Sequence, residues 1–204
     1  HEDVELAGKI SFDNVSYAYS MVDEPVIRDL SFTLEAGSIT AMVGTAGAGA
    51  STIAQLLVGL LQPTDGVIRI DDKAIDDLAA TSQSQLFGFL EDKAALFEGT
   101  ILQNISLFSP WISRERVVSA AKDAGIHHEI VSRPGGYDAT VVEGGRNFSG
   151  GQRQRIQLAQ ALAKTPTVLV LDGTTSALDT AAETEILDRI RNRGCTTLLL
   201  TKRI

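Results

Sequence analysis

The chain has 204 residues, of which 44% are hydrophobic and 22% are charged, and its formal net charge is -8 at pH 7. This composition is that of a globular domain with a buried core, and the acidic balance argues against a nucleic-acid partner and against direct docking on anionic lipid. One cysteine, Cys195, cannot form an internal disulfide, which fits a reducing compartment. The chain begins at His1 and stops at Ile204 after an apolar run, so we expect it to be part of a longer polypeptide.

The first half of the chain combines predicted strands with one predicted helix. The uniformly apolar run 39–43 predicts a strand buried on both faces of a sheet. A glycine-rich loop at 44–49 then leads into a helix whose apolar stripe runs over 53–61. Alternating or short apolar runs predict further strands at 10–19, 30–34 and 67–70.

The second half is more helical. Apolar residues at helical spacing predict a helix over 117–124, with Gly125 as its C-cap. A buried strand is expected at 168–171, ending at Asp172. Strands that alternate with helices indicate a mostly parallel sheet. The other predicted elements are a helix at 152–163, a helix around 186–190 closed by Gly194, and a last strand at 196–201.

The loop after the strand at 39–43 matches the phosphate-loop pattern G-x-x-x-x-G-K-[ST] except at its lysine, where Ala50 stands. Its glycines let backbone N–H groups form an anion nest, and the following helix adds partial positive charge. Ser51 stands where the Mg²⁺-binding hydroxyl belongs. The alternative is a glycine-rich strand-to-helix turn that binds nothing, and this motif alone does not decide between the two.

Two further motifs favour the phosphate-binding interpretation. Asp172 ends an apolar strand, as the carboxylate that helps to hold Mg²⁺ does in phosphate-loop proteins. The run 147–155 is glycine-rich and opens a predicted helix, with Ser149 as a candidate N-cap if its role is only structural. Three such motifs in this order and spacing argue against coincidence.

Together these residues resemble the ATP-binding cassette (ABC) family of transporters, and the resemblance covers the whole chain. Residues 148–152 are similar to the family's signature motif, with Phe148 for the usual leucine, and 176–179 are similar to its D-loop. Tyr19 falls where the family stacks an aromatic ring on adenine, although an ordinary strand aromatic is an equal alternative.

The resemblance implies an α/β fold of the P-loop NTPase (RecA-like) class, with a parallel-sheet core, an N-terminal antiparallel β-region and an α-helical subdomain. We expect a single nucleotide-binding domain over 1–204, with the core at 1–98 and 164–204, the helical subdomain at 99–163, and the C-terminal end of the family domain missing.

By the same resemblance the cofactors are ATP and Mg²⁺. The Mg²⁺ ligands would be Ser51 and Asp172, and Asp179 would belong to the D-loop. The residues implied in nucleotide binding are Tyr19, Gly44, Thr45, Ala46, Gly47, Ala48, Gly49, Ala50, Ser51 and Thr52. The signature residues are Ser149, Gly150, Gly151 and Gln152.

Several segments look like those of exporters. Residues 97–101 are of exporter type, and 143–145 resemble the segment that touches the membrane domain. Residues 132–138 and 147–152 look closest to bacteriocin-type peptide exporters of bacteria. The implied partners are a second nucleotide-binding domain and transmembrane domains, which alone would contact the membrane, at the cytoplasmic face of a bacterial inner membrane.

Four positions depart from the catalytic pattern of the family. Ala50 replaces the phosphate-binding lysine, and Gly173 replaces the glutamate that polarises the attacking water. Lys202 stands for the switch histidine. The Q-loop glutamine is replaced by Asp92 or, with one insertion in the alignment, by Glu91.

These losses leave three hypotheses. The first is a degenerate half that supplies its retained signature motif to a competent partner in a heterodimer. The second is an active ATPase in which Lys202 or Lys93 substitutes for the missing cation. The third is a scaffold domain that binds no nucleotide. We favour the first, because the chain retains the residues that serve a partner's nucleotide and lacks those that serve its own.

Overall fold

The computed structural model of the chain describes residues 6–20, 22, 24–45, 47–91, 95–173 and 180–201. The chain falls into two compact units. The first consists of His1–Phe89, Thr167–Gly173 and Gly194–Ile204, and the second of Leu90–Pro166 and Thr174–Arg193.

Two four-stranded sheets build the first unit, except that the last two residues of β6 belong to the second. One contains β1 (Ile10–Tyr17), β2 (Ile27–Leu34), β4 (Asp65–Ile70) and β5 (Lys73–Ala74) in the order β2-β1-β4-β5, with antiparallel pairing. The other contains β3 (Ile39–Val43), β6 (Phe87–Glu91), β9 (Val168–Asp172) and β10 (Thr196–Thr201) in the order β3-β10-β9-β6. Strand β10 pairs in parallel with both β3 and β9, as the sequence predicts. Helices α1 (Ala50–Leu57) and α2 (Ala80–Leu86) belong to the same unit.

The alternation of apolar residues in β1 changes phase, and the structure explains why. Ile10 and Phe12 are buried, and so are Val15 and Tyr17, although the two pairs differ in parity. The pairing register shifts between Phe12 and Val15, where Asn14 has a φ of 49°. An irregularity of this kind inserts a residue into the strand, so that both pairs face the same core.

The three predicted strands of the parallel sheet differ in burial. Strands β9 and β10 are almost fully buried, as their apolar runs predict. The prediction that β3 is buried on both faces is wrong, because β3 is the outer strand of its sheet and Val43 is 49% exposed. The helix expected up to residue 61 ends at Leu57, and Leu60 beyond it is 65% exposed.

The second unit is mainly helical. It contains α3 (Ile101–Ile105), α4 (Arg114–Asp123), α5 (His127–Val131), α6 (Gly150–Ala163) and α7 (Thr180–Arg193), with a ribbon of β7 (Gly99–Thr100) and β8 (Thr140–Val141). Helix α6 packs against α3 and α4. The expected core included α7, but this helix groups with the helical unit, because Arg193 bonds to Asp123 of α4 and to the carbonyl of Leu162 in α6. None of the helices in the described part of the chain has the length and apolarity of a membrane span.

Candidate functional site

Left-handed glycines shape the loop between β3 and α1. Gly47 and Gly49 have φ angles of 85° and 86°, which L side chains rarely adopt. Gly49 is also crowded, since a Cβ atom there would lie 2.7 Å from Cδ1 of Ile27. The N–H of Gly44 donates to the carbonyl of Thr201 at 3.2 Å and ties the loop to the sheet. Gly47 and Gly49 therefore both have backbone conformations that favour glycine, directly before α1.

Helix α1 begins without a side-chain cap. Gly49 occupies the N-cap position, and no side-chain hydrogen bond caps this end. The N–H groups of the first turn are thus available to an external acceptor, and they carry the positive end of the helix dipole. Ser51 is exposed in this turn, whereas the methyl group of Ala50 packs against the hydrophobic core. The position that carries lysine in the family therefore offers a phosphate its backbone N–H but no polar side-chain atom.

Tyr19 lies beside the same loop. Its hydroxyl is 2.9 Å from Oγ1 of Thr52 in α1, and its ring meets Tyr17 edge-on with centroids 5.1 Å apart. The residue is nevertheless 61% exposed. The structure thus brings together the predicted adenine-stacking residue and the phosphate loop, and leaves most of the ring accessible for stacking.

Asp172 ends β9, and the loop follows β3, so both lie at the carboxyl ends of strands in the same parallel sheet. Strand β10 lies between β3 and β9, with Thr201 paired to Val43 and Leu200 paired to Asp172. Two strand spacings therefore separate the ends of β3 and β9, which is about 10 Å. In the described part of the chain no group of three or more His, Cys, Asp or Glu side chains could hold a metal. One carboxylate and the Ser51 hydroxyl fit Mg²⁺, which is usually held by one or two protein ligands together with water and phosphate oxygens.

Gly173 follows Asp172 and has a φ of 66°. Its N–H donates to the carbonyl of Leu200 at 3.1 Å. No side chain is present here to orient a water molecule. Glu91, one of the two candidates for the Q-loop position, is the exposed last residue of β6. The other predicted site residues Ala46, Asp92, Asp179 and Lys202, and also Lys93, lie outside the described residues.

The signature residues lie in the second unit, at the start of α6. Oγ of Ser149 accepts from the N–H of Gln152 at 3.2 Å, and the N–H of Ser149 donates to Oε1 of Gln152 at 3.0 Å. These bonds form a capping box, so the predicted N-cap is confirmed. Ser149 and Gly150 are exposed, and a Cβ atom at Gly150 would meet nothing within 4 Å. The amino end of α6 is therefore capped and open.

A polar network surrounds this helix start, and the sequence did not reveal it. The carboxylate of Glu129 accepts from Nε2 of Gln152 at 2.6 Å and pairs with Arg155. The guanidinium of Arg133 lies over the ring of Phe148, 4.0 Å from its centroid. An open cavity of about 460 Å³ is lined by His128, Glu129, Ser132, Arg133 and Gln152. Glu129 and Arg133 belong to α5 and the turn after it, far along the chain from Ser149, so no motif spacing points to them.

The exporter-type segment 97–101 is fixed by a buried amide. Asn104 is fully buried, its Oδ1 accepts from the N–H of Phe97 at 2.9 Å, and its Nδ2 donates to the carbonyls of Phe97 and Thr100. The ring of Phe97 is 58% exposed and meets the ring of Phe108 edge-on, with centroids 6.5 Å apart. Leu107 and Phe108 have φ angles of 52° and 57°. Consecutive left-handed residues other than glycine store strain, which is common at functional surfaces.

His127 and Tyr137, two titratable residues of the second unit, form a bond with a structural role. The Tyr137 hydroxyl is 2.9 Å from Nδ1 of His127. Burial raises the pKa of Tyr137 to about 12, and it lowers the pKa of His127. Both side chains are therefore neutral at pH 7, and the bond between them joins α5 to the turn at Gly136–Asp138.

Comparisons with known proteins give matches over most of the chain. A family model described as ABC transporter matches residues 27–176. The chain is 40% identical over 199 residues to an ABC transporter ATP-binding protein of Bacillus subtilis. This alignment covers 98% of this chain and 35% of the relative. It is also 38% identical over 208 residues to an ATP-dependent lipid A-core flippase of Syntrophus aciditrophicus. This alignment covers 100% of this chain and 34% of the flippase.

Among solved structures, a bacterial Atm1-family ABC exporter with ATP bound matches with a TM-score of 0.88 and 39% identity, over 96% of this chain and 35% of that chain. This chain thus spans about a third of the length of the relatives that it matches. The fold is the predicted α/β fold of P-loop NTPases, and the chain belongs to the ABC transporter family, as a nucleotide-binding domain similar to that of the exporter.

Proposed function

We propose that this chain is the nucleotide-binding domain of an ABC exporter and the degenerate half of a heterodimer, in which its signature loop serves ATP held by a competent partner domain. One contrast carries the proposal. The signature loop at Ser149 is capped, braced and exposed. At the chain's own nucleotide site, Ala50 packs into the core and Gly173 has no side chain.

The signature loop would act on the partner's γ-phosphate through preorganised donors. Oγ of Ser149 accepts from the N–H of Gln152, so its own hydrogen remains free to donate, since a hydroxyl carries one donor and two acceptor sites. The N–H groups of Gly150 and Gly151 lie in the first turn of the 14-residue helix α6, at the positive end of its dipole. Donors aimed at the transferring phosphoryl group stabilise its charge. This role requires no lysine, glutamate or histidine on this chain.

At the chain's own site we propose weak binding of ATP and Mg²⁺. The loop amides would hold the phosphates, Tyr19 would stack on adenine, and Ser51 with Asp172 would hold Mg²⁺, which when bound neutralises phosphate charge. A charge-assisted hydrogen bond contributes about 1.5–3 kcal/mol, so the absence of the lysine lowers ATP affinity by roughly 10- to 100-fold or more. Without a side chain at Gly173, no group at that position activates water.

The partners that we propose are a second nucleotide-binding domain and transmembrane domains, at the cytoplasmic face of a bacterial membrane. The exposed rings of Phe97 and Phe108, and Trp111 at 87% exposure, support docking against another protein. Relatives named lipid A-core flippase and multidrug export ATP-binding/permease protein are about three times as long as this chain. We propose a peptide of the bacteriocin type as cargo, because 132–138 and 147–152 resemble such exporters.

The decisive experiment measures ATP hydrolysis by the complete transporter. Ser149→Arg places a bulky side chain at the seam between the two domains, and we expect it to abolish hydrolysis. Ser113→Arg is the matched control, because Ser113 is the N-cap of α4 in the same unit, and hydrolysis should persist. Ala50→Lys should change the rate little, because Gly173 is unchanged. An intact rate in Ser149→Arg refutes the heterodimer proposal, and a several-fold gain in Ala50→Lys shows that this site hydrolyses ATP.

The chain by itself should show no ATPase activity above background, and calorimetry should give a dissociation constant for ATP in the high-micromolar range or weaker. Turnover that disappears in Asp172→Asn would establish an active site that uses substitute residues. A sub-micromolar dissociation constant would mean that another residue replaces the lysine. No detectable binding together with a Ser149-dependent transporter would restrict this chain to the signature role.

A further inference from the structure

Two arginine side chains hold the backbone that leads into the signature helix. Nη2 of Arg133 donates to the carbonyl of Asn147 at 3.3 Å, and Nη1 of Arg153 donates to the carbonyl of Phe148 at 2.8 Å. These carbonyls belong to the two residues that precede Ser149. Their positions therefore set the direction in which the chain enters α6.

Arg133 makes two more contacts with the same motif. Its guanidinium carbon lies 4.0 Å from the centroid of the Phe148 ring, and Nη2 is 3.3 Å from Oε1 of Gln152. Phe148 is only 5% exposed, and a cation over an aromatic face is attracted more strongly when water is excluded. The leucine that is usual at this position offers no such face. One planar side chain thus spans residues on both sides of Ser149.

The described polar and ring contacts of the Arg133 side chain lie within residues 147–152. In the described part of the chain, its side-chain partners are the Asn147 carbonyl, the Phe148 ring and the Gln152 amide, and no carboxylate forms an ion pair with it. Glu129, the nearby acid, is already bonded to Gln152 and Arg155. The described polar and ring contacts of the Arg133 guanidinium are therefore all with residues 147–152.

We infer that Arg133 is a positioning residue for the signature loop and that its stack on Phe148 orients Ser149 and Gly150 toward the partner's nucleotide. The inference rests on the proposed function, because only a loop that serves a partner's ATP gains from this orientation. Donors that stabilise a transition state must be held within about 0.5 Å of the productive geometry by surrounding contacts. Loss of such a contact lowers the rate of the chemical step and leaves ground-state ATP binding unchanged.

Arg114 provides a matched control in the same unit. Its guanidinium carbon lies 5.9 Å from the centroid of the Tyr137 ring, and it pairs with Asp138 at 3.2 Å. It is thus an arginine near an aromatic ring, but its described contacts do not include residues 147–152. A general loss of stability in the helical unit should affect both arginine variants alike.

The test measures kcat, KM for ATP and thermal unfolding of the complete transporter carrying Arg133→Ala, Arg133→Lys or Arg114→Ala, each with and without Phe148→Leu. We expect Arg133→Ala to lower kcat by roughly tenfold, as removal of an outer contact does in metal sites, and to leave KM within about twofold. Arg133→Lys should rescue only partly, because lysine keeps the charge but has no planar face. Arg114→Ala should keep the wild-type kcat. The effect of Arg133→Ala should shrink in the Phe148→Leu background.

Different results would overturn different claims. A wild-type kcat in Arg133→Ala overturns the positioning role, while an inactive Ser149→Arg variant leaves the proposed function intact. A lower melting temperature in Arg133→Ala than in Arg114→Ala, with kcat and KM both changed, makes Arg133 a structural residue and also overturns the inference. Full activity of Ser149→Arg removes the proposed function and the positioning role together.

Discussion

The loop before α1 and the loop before α6 both lead from glycines into a helix, yet the two helix starts are built differently. Helix α1 has Gly49 at its N-cap, and no side chain caps it. Helix α6 has Ser149 at its N-cap, and Glu129 and Arg133 bond to Gln152, the other member of the capping box. The first helix start offers unsatisfied amides, and the second offers amides that side chains already hold in place.

This difference separates two ways of binding an anion. A cradle of backbone amides depends on the shape of its glycines and gains strength from a nearby cation, which Ala50 does not supply. A helix start that side chains cap and support keeps its geometry without a ligand. Its donors are therefore preorganised for the charge on a phosphate that a partner domain holds. Substitutions in the two helix starts and in the tyrosine beside the first should therefore affect stability and ATP binding differently.

The largest effect should come from the glycines of the first loop. Gly49→Ala places a Cβ atom at a φ of 86° and 2.7 Å from Ile27, and we expect the free energy of unfolding to fall by about 2 kcal/mol. Gly47→Ala has a similar φ but open space, so about 1 kcal/mol is expected. Thermal unfolding of the chain measures both changes. Equal losses would show that the contact with Ile27 does not add to the cost.

The two serines should separate stability from nucleotide binding. Ser149→Ala removes a helix cap and should lower the free energy of unfolding by about 1 kcal/mol, without changing the affinity of this chain for Mg²⁺–ATP. Ser51→Ala removes an exposed hydroxyl and should change stability by less than about 0.5 kcal/mol, while it weakens Mg²⁺–ATP binding. Thermal unfolding and calorimetry on the same two variants give the comparison. A Ser149→Ala variant with weakened ATP binding would contradict it.

The smallest effect should come from the tyrosine beside the first loop. Tyr19→Phe removes the bond to Thr52 but keeps the ring, and we expect a loss of about 0.5–1 kcal/mol in stability with unchanged ATP affinity. Tyr19→Ala, as the control, should weaken ATP binding, because the stacking surface is lost. Equal ATP affinity in both variants would mean that Tyr19, which lies two residues beyond the end of β1, has only a structural role.

The candidate site was predicted from sequence wherever function requires a short motif. The glycine loop, Asp172 at the end of β9 and the cap at Ser149 all follow from residues that are close along the chain. The support of the signature loop could not be predicted in this way. The contacts of Arg133 with Phe148 and Gln152 join residues 15 and 19 positions apart, across a turn and without periodic spacing.

For the fold, the sequence alone determined the elements whose signal is local. The apolar run at 196–201 coincides with β10, and the helix expected at 152–163 lies within α6. Only the tertiary structure decided that β3 is an outer strand with Val43 half-exposed, while the similar run in β9 is buried. The physical reason is that hydrophobicity records a preference for burial, whereas the place of a strand in the sheet depends on pairing with segments far away in sequence.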